Sequence, residues 1–234
     1  MTTGTDAIAR IVTDACERNE ASTREAAHRI LDSLRAGGLV RPAGAGHSLA
    51  TVLELFFRAG GLAAVRPMWH PRVMPLQSAS GSTAAEREPG LGRSVAEQAD
   101  IAPEDVVLVV STSGINPYPI EIAQVARERG APVIAMTSVA ASTAATPRAG
   151  VRLLELADVV LDTGAPPGDV TWPQEAPVTA AGSSLAATAL WLRVQQEIVS
   201  IEPGVELWRS ANVEGNDALN RDVAARWAAR IPEL

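Results

Sequence analysis

Residues 106–110 read VVLVV, an unbroken apolar run between Asp105 and the tetrapeptide STSG. A run with no polar alternation does not suit a strand with one wet face. It suits a strand covered on both faces, as in parallel sheets packed between two layers of helices. Parallel strands need crossover connections, and the chain supplies them. Pro117 to Arg129 reads as the crossover helix after this strand, Pro132 to Met136 as the next strand, 147–157 as a helix and Val159 to Leu161 as a short last strand. Upstream, Leu39-Val40 and Leu62 to Val65 are strand candidates on either side of a helical run over 49–59. The alternation predicts an α/β fold, a three-layer doubly wound parallel sheet flanked by helices, in one domain spanning 1–234.

The ends of the chain read as helical additions to that core. Apolar positions recur at helical spacing over 5–36, with Ser22 and Thr23 as candidate caps of a second segment and Gly37-Gly38 as a stop. A long apolar helix is expected from Ser183 to about Ile201, and a final amphipathic helix over about 216–231. Residues 77–94 (QSASGSTAAEREPGLGRS) are small and polar, and read as a loop. There is no internal repeat and no linker that divides the chain.

Composition removes whole classes of function. No apolar stretch approaches the length of a membrane span, and MTTGTDAIAR lacks the layout of a signal peptide, so the expected location is the cytoplasm with no membrane partner. The net charge is -7 with no basic run, which disfavours nucleic acid. All 20 cationic side chains are arginine, so Schiff-base chemistry and a P-loop lysine are absent. The single cysteine, Cys16, excludes an intrachain disulfide, and His28, His47 and His70 lack metal-ligand spacing, so no metal is expected.

Two turns share a design. GAGHS (Gly44 to Ser48) and STSGIN (Ser111 to Asn116) each follow a strand and precede a helix. Glycine lets backbone approach a ligand, hydroxyls donate hydrogen bonds, and the N–H groups opening a helix attract an anion. In open parallel sheets ligands bind at the carboxyl ends of the strands, where strand order reverses. If the order is the flavodoxin-like 2-1-3-4-5, the two turns converge there, and a phosphate is the natural guest. The alternative is that both are ordinary helix-capping turns. Neither matches the dinucleotide pattern GxGxxG, because Leu49 stands where the third glycine belongs, and no cofactor is expected.

STSGIN with the following PYPIEIAQVARERGAPVIAMTS resembles the phosphate loop and next unit of the SIS (sugar isomerase) domain family, and GAGHS resembles its first loop. VVLDTGAPPGD and RSANVEGNDALNR are similar to segments of stand-alone SIS proteins described as phosphosugar-binding or sugar isomerase proteins. The resemblance implies a five-stranded parallel sheet, a homodimer or tetramer, and a phosphorylated sugar as partner. It also implies that Ser111, Thr112, Ser113, Gly114 and Asn116 hold the phosphate, with Gly46 and Ser48 facing the sugar. Asn116 stands where the family pattern has threonine, and Pro42 is unusual in a strand because it removes a ladder donor.

Aldose to ketose isomerisation needs a base that moves a proton between adjacent carbons through an enediol; a carboxylate and an imidazole suit such work. Glu54 is the expected base, although Arg58 four residues on makes a simple ion pair equally compatible. His47, inside the glycine turn, is the imidazole candidate. Glu86, with Glu88 in EREPG, is a carboxylate that reaches the site from a neighbouring segment or else a solvated charge. Thr137 and Ser138, at a strand end, and Ser183 and Ser184, opening the long helix, sit where they line the same pocket or merely cap. The chemistry expected is a sugar-phosphate isomerase; a lyase acting on N-acetylmuramic acid 6-phosphate and a non-catalytic phosphosugar sensor are the alternatives. No helix-turn-helix pattern precedes the domain, which weakens the regulator version of that sensor.

Overall fold

The run VVLVV forms the second strand of a four-stranded parallel sheet in the computed structural model, which describes residues 3–234. The strands are β1 (Val40–Gly44), β2 (Val106–Val110), β3 (Val133–Thr137) and β4 (Val159–Asp162), side by side in that order. Side chains of β2 alternate between two separate cores, as a two-faced strand must. Val106, Leu108 and Val110 pack with Leu31, Leu190 and Trp191. Val107 and Val109 pack on the other face with Tyr118, Ile122 and Ala96. The first layer is built from helices α1 (Gly4–Arg18), α2 (Glu20–Arg35) and α9 (Ser183–Ile201). The second contains α5 (Leu91–Gln98) and α6 (Pro117–Glu128). These two approach closely: a Cβ on Gly92 would lie 2.2 Å from the Tyr118 carbonyl oxygen.

The count of strands corrects the expectation of five. Residues 62–68 lie along the outer edge of β1 but meet it only through isolated parallel bridges, Val40 with Val65 and Ala43 with Met68. Pro42 explains the interruption. The Val40 N–H donates outward to the Ala64 carbonyl at 2.9 Å, and the Pro42 carbonyl accepts from the Met68 N–H at 2.8 Å. Pro42 has no N–H with which to repeat the Val40 bond, so the ladder breaks.

Other departures have similarly local causes. The stretch 77–94 is not a loop: it holds α4 (Ala79–Arg87), capped by the Ser78 hydroxyl, and the start of α5. Its buried face is only Ser82 and Ala85, too small for an apolar period to register. The helix expected over 147–157 is reduced to α8 (Leu153–Leu156), because Gly150 adopts a φ of +76 close to Pro147; a separate α7 (Val139–Ala144) precedes it. α3 stops at Leu55 (Leu49–Leu55), and α10 (Asn216–Trp227) ends four residues before the expected 231. Val170–Trp172 and Thr179–Ala181 form a small antiparallel pair, β5 and β6. Ser22 and Thr23 lie inside α2; its N-cap is Asn19, whose amide instead donates to the Asp162 carbonyl (2.8 Å) and accepts from the Asp162 N–H (2.7 Å). Among the described residues no helix is long and apolar enough to cross a membrane.

Candidate functional site

β1 and β2 are hydrogen-bonded neighbours whose registers end together at Gly44 and Val110. The turns that follow therefore leave the sheet side by side, and a cleft of about 380 Å³ opens between them. The first turn contributes Gly46, His47 and Ser48, carried on a short 3-10 helix that begins at Gly46 with φ +60. The second contributes Ser111, Thr112, Ser113 and Asn116. Glu86 on α4 closes one side, and Ser183 and Ser184 at the start of α9 close another. Ten of the fourteen residues expected at the site thus line one cleft.

The second turn is wound so that its donors are left over. The Gly114 N–H donates to the Ser111 hydroxyl at 3.2 Å, and the Gly114 carbonyl accepts from Leu153 at 2.8 Å. Gly114 holds φ +57, and a Cβ there would lie 3.0 Å from the Thr137 hydroxyl oxygen, so any other side chain would be strained and crowded. Thr137 is fully buried and donates to the Thr112 carbonyl at 3.2 Å. With the Ser138 N–H on that same carbonyl at 2.9 Å, it fastens the turn to β3. The N–H groups of Thr112, Ser113, Ile115 and Asn116, and the hydroxyls of Thr112 and Ser113, have no partner among the described residues. α6 adds less than expected from a helix N-terminus, since prolines occupy positions 117 and 119 and leave Tyr118 the one N–H of the first three positions. The cradle is made by the turn.

Asn116 has an orientation that chemistry fixes. Its Oδ1 accepts from the Arg148 guanidinium at 2.7 Å, and the backbone N–H of Arg148 donates to the Ile115 carbonyl at 2.9 Å. A guanidinium can only donate, so the oxygen of the amide must face it and the NH₂ must face away. Arg148 is a residue behind the candidate site that the sequence reading overlooked; it stands 32 positions from Asn116, in the segment read as a helix over 147–157, with no motif of its own.

Four expected residues lie outside the lining. Gly114, Thr137 and Ser138 form the support of the turn, with the Ser138 hydroxyl capping α7 and donating to the Ala165 carbonyl at 2.5 Å. Glu54 points elsewhere and pairs with Arg58 at 2.7 Å, the ion pair that the four-residue spacing left open. Glu86 lines the cleft with no ion pair or hydrogen bond among the described residues, whereas Glu88 is paired with Arg72. Ser183 lines the cleft but its hydroxyl is engaged by Asp169, a second residue not foreseen. Asp169 accepts the Gly182 and Ser183 N–H groups at 3.1 and 2.8 Å and the Ser183 hydroxyl at 2.5 Å. The N-terminus of α9 is thereby closed by a carboxylate of the chain itself. No group of three or more metal-ligating side chains forms among the described residues.

Residues 5–138 match the family model of the SIS domain, and residues 92–192 match a further SIS domain model. A UPF0309 protein of Listeria monocytogenes serotype 4b is 32% identical over 237 residues, covering 98% of this chain and 96% of that one. A UPF0309 protein of Brucella anthropi is 38% identical over 216 residues, covering 90% and 88%. Among solved structures, phosphoheptose isomerase GmhA from Neisseria gonorrhoeae superimposes with a TM-score of 0.55 at 21% identity, over 81% of this chain and 92% of that one. The Vibrio vulnificus NanR protein complexed with ManNAc-6P does so with 0.51 at 16% identity, over 98% and 70%.

Proposed function

The chain belongs to the SIS domain family, and from that premise we propose that it binds a phosphorylated sugar in this cleft and isomerises it between aldose and ketose forms. The observation that carries the reading is the polarity of the cleft. The STSGIN turn offers unpartnered N–H groups, two hydroxyls and the Asn116 NH₂, with the Arg148 guanidinium behind it. The rest of the lining includes the acidic and imidazole side chains Glu86, Asp169 and His47. A dianionic phosphate suits the donors of that turn and is repelled by carboxylates, so the ligand is placed with its phosphate on the turn and its hydroxyls and carbonyl toward Glu86 and His47.

In that orientation Glu86 is the base. It takes the proton from the carbon next to the carbonyl and returns it to the former carbonyl carbon, while His47 moves a proton between the two oxygens of the enediol. Asp169, tied to α9, accepts from a sugar hydroxyl. The phosphosugar ligand of NanR and the isomerase name of GmhA belong to those proteins, and they are the chemistry this arrangement also suits.

Incubation with a panel of aldose and ketose phosphates in D₂O tests the reading. Interconversion with deuterium entering at the transferred position is expected. In Glu86→Gln, kcat falls by about a hundredfold or more with little change in affinity, as loss of a general base does. Saturable binding without exchange or turnover makes the protein a sensor instead. Loss of the lactyl group from N-acetylmuramic acid 6-phosphate makes it a lyase.

A further inference from the structure

A second cavity, of about 220 Å³, lies on the α5 side of β1 and shares no lining residue with the cleft. Its floor is Arg41, whose side chain is only 2% exposed. Burying a guanidinium is costly unless its donors are met, and they are not met here. Of five N–H donors, one hydrogen bond is made, from Nη2 to the Ala99 carbonyl at 2.5 Å. Nε is buried with no partner. The nearest carboxylate, Asp105, is 4.0 Å away, and its oxygens already accept from the Leu39 and Ala102 N–H groups at 2.8 and 3.1 Å. Burial holds the Arg41 pKa below the ordinary arginine value, with Asp105 opposing the shift.

The walls divide by chemistry. Arg66 supplies a second guanidinium, and the His70 Nδ1 accepts the Arg72 N–H at 3.1 Å, which leaves the proton of the neutral ring on Nε2 as a further donor. Trp69, Met68 and Val95 supply apolar surface. Arg66 is itself engaged by a carboxylate, Glu233, at 3.2 and 3.4 Å, so the cluster already displays the kind of group it takes.

We propose that this cavity is a binding site for a small organic carboxylate, held between the Arg41 and Arg66 guanidiniums with its carbon body against Trp69 and Met68, and with Glu233 as an internal competitor. An inorganic anion would leave the apolar wall unused, which favours an organic acid. Nothing in this inference depends on the sugar-phosphate reading.

Calorimetric titration of the full chain with benzoate, acetate and inorganic phosphate at constant ionic strength tests it. Saturable binding of benzoate, stronger than that of acetate or phosphate, is expected. Arg66→Gln should weaken it by about tenfold, the scale of a charge-assisted hydrogen bond. Glu233→Gln should strengthen it severalfold, because the competing carboxylate is gone. These two exposed-side positions avoid the folding risk of changing Arg41, and their opposite signs separate ligation from a general loss of charge. Ser113→Ala, in the other cleft, should leave benzoate binding unchanged. Absence of saturable binding, equal affinity in Arg66→Gln and Glu233→Gln, or loss of binding in Ser113→Ala would each overturn the proposal.

Discussion

Two turns, one leading into α6 and one into α9, face the same cleft, and the chain treats them oppositely. At α9 the carboxylate of Asp169 takes the Gly182 and Ser183 N–H groups and the Ser183 hydroxyl, so the positive end of a nineteen-residue helix is already neutralised. At α6 nothing is neutralised: the turn before it keeps its N–H groups and hydroxyls unpartnered, and a guanidinium stands behind it. The sequences at the two places look alike, both being serine- and glycine-rich. What separates them is whether an acid elsewhere in the chain has been folded onto the donors. A serine- and glycine-rich turn before a helix can take an anion only where its donors have been left open.

That contrast can be broken by making the open end resemble the closed one. Asn116→Asp places a carboxylate beside the cradle, and sugar-phosphate affinity is expected to fall by about a hundredfold from like-charge juxtaposition. Affinity within threefold of the parent by calorimetry would mean that the phosphate lies elsewhere. Ser113→Ala removes one neutral donor to a charged group and is expected to weaken binding by about tenfold. An unchanged isotherm removes that hydroxyl from the cradle. Arg148→Gln keeps a donor to the Asn116 amide but removes the charge. A loss of about threefold to fivefold at low salt, fading as salt rises, is expected for an exposed cation; a loss independent of salt points to a purely structural role. Glu54→Gln is expected to change kcat by less than twofold, because its partner is the exposed Arg58, just beyond the end of α3, and Glu54 does not line the cleft. A tenfold drop would return the base to Glu54 and displace Glu86.

The covered strands were readable because burial on both faces leaves no choice of residue: VVLVV can hardly be anything else. The turns were readable for a related reason, since Gly114 must adopt a left-handed conformation against Thr137 and Ser111 must close the loop. What escaped was set by long-range placement. Glu54 and Glu86 are equally acidic in sequence, and only the packing of α4 against the cleft chooses between them. Arg148 lies in a segment that reads as helix and Asp169 in a Pro/Gly-rich stretch that reads as loop, and each gains its contacts from a partner 32 or 14 positions away. α4 itself was invisible because serine and alanine carry its buried face.

Pro42 bears on how copies of this protein can meet. A free sheet edge is an invitation to pair with a strand from another molecule, and the usual deterrents are charge, bulges and proline. Here the outer edge of β1 is interrupted at Pro42 and shielded by residues 62–68, which follow it only from bridge to bridge. The sheet cannot be extended continuously across that flank. Any assembly formed on this side of the molecule must therefore be made by side chains on helices and loops, and is open to tuning by substitution in a way that a shared backbone ladder is not.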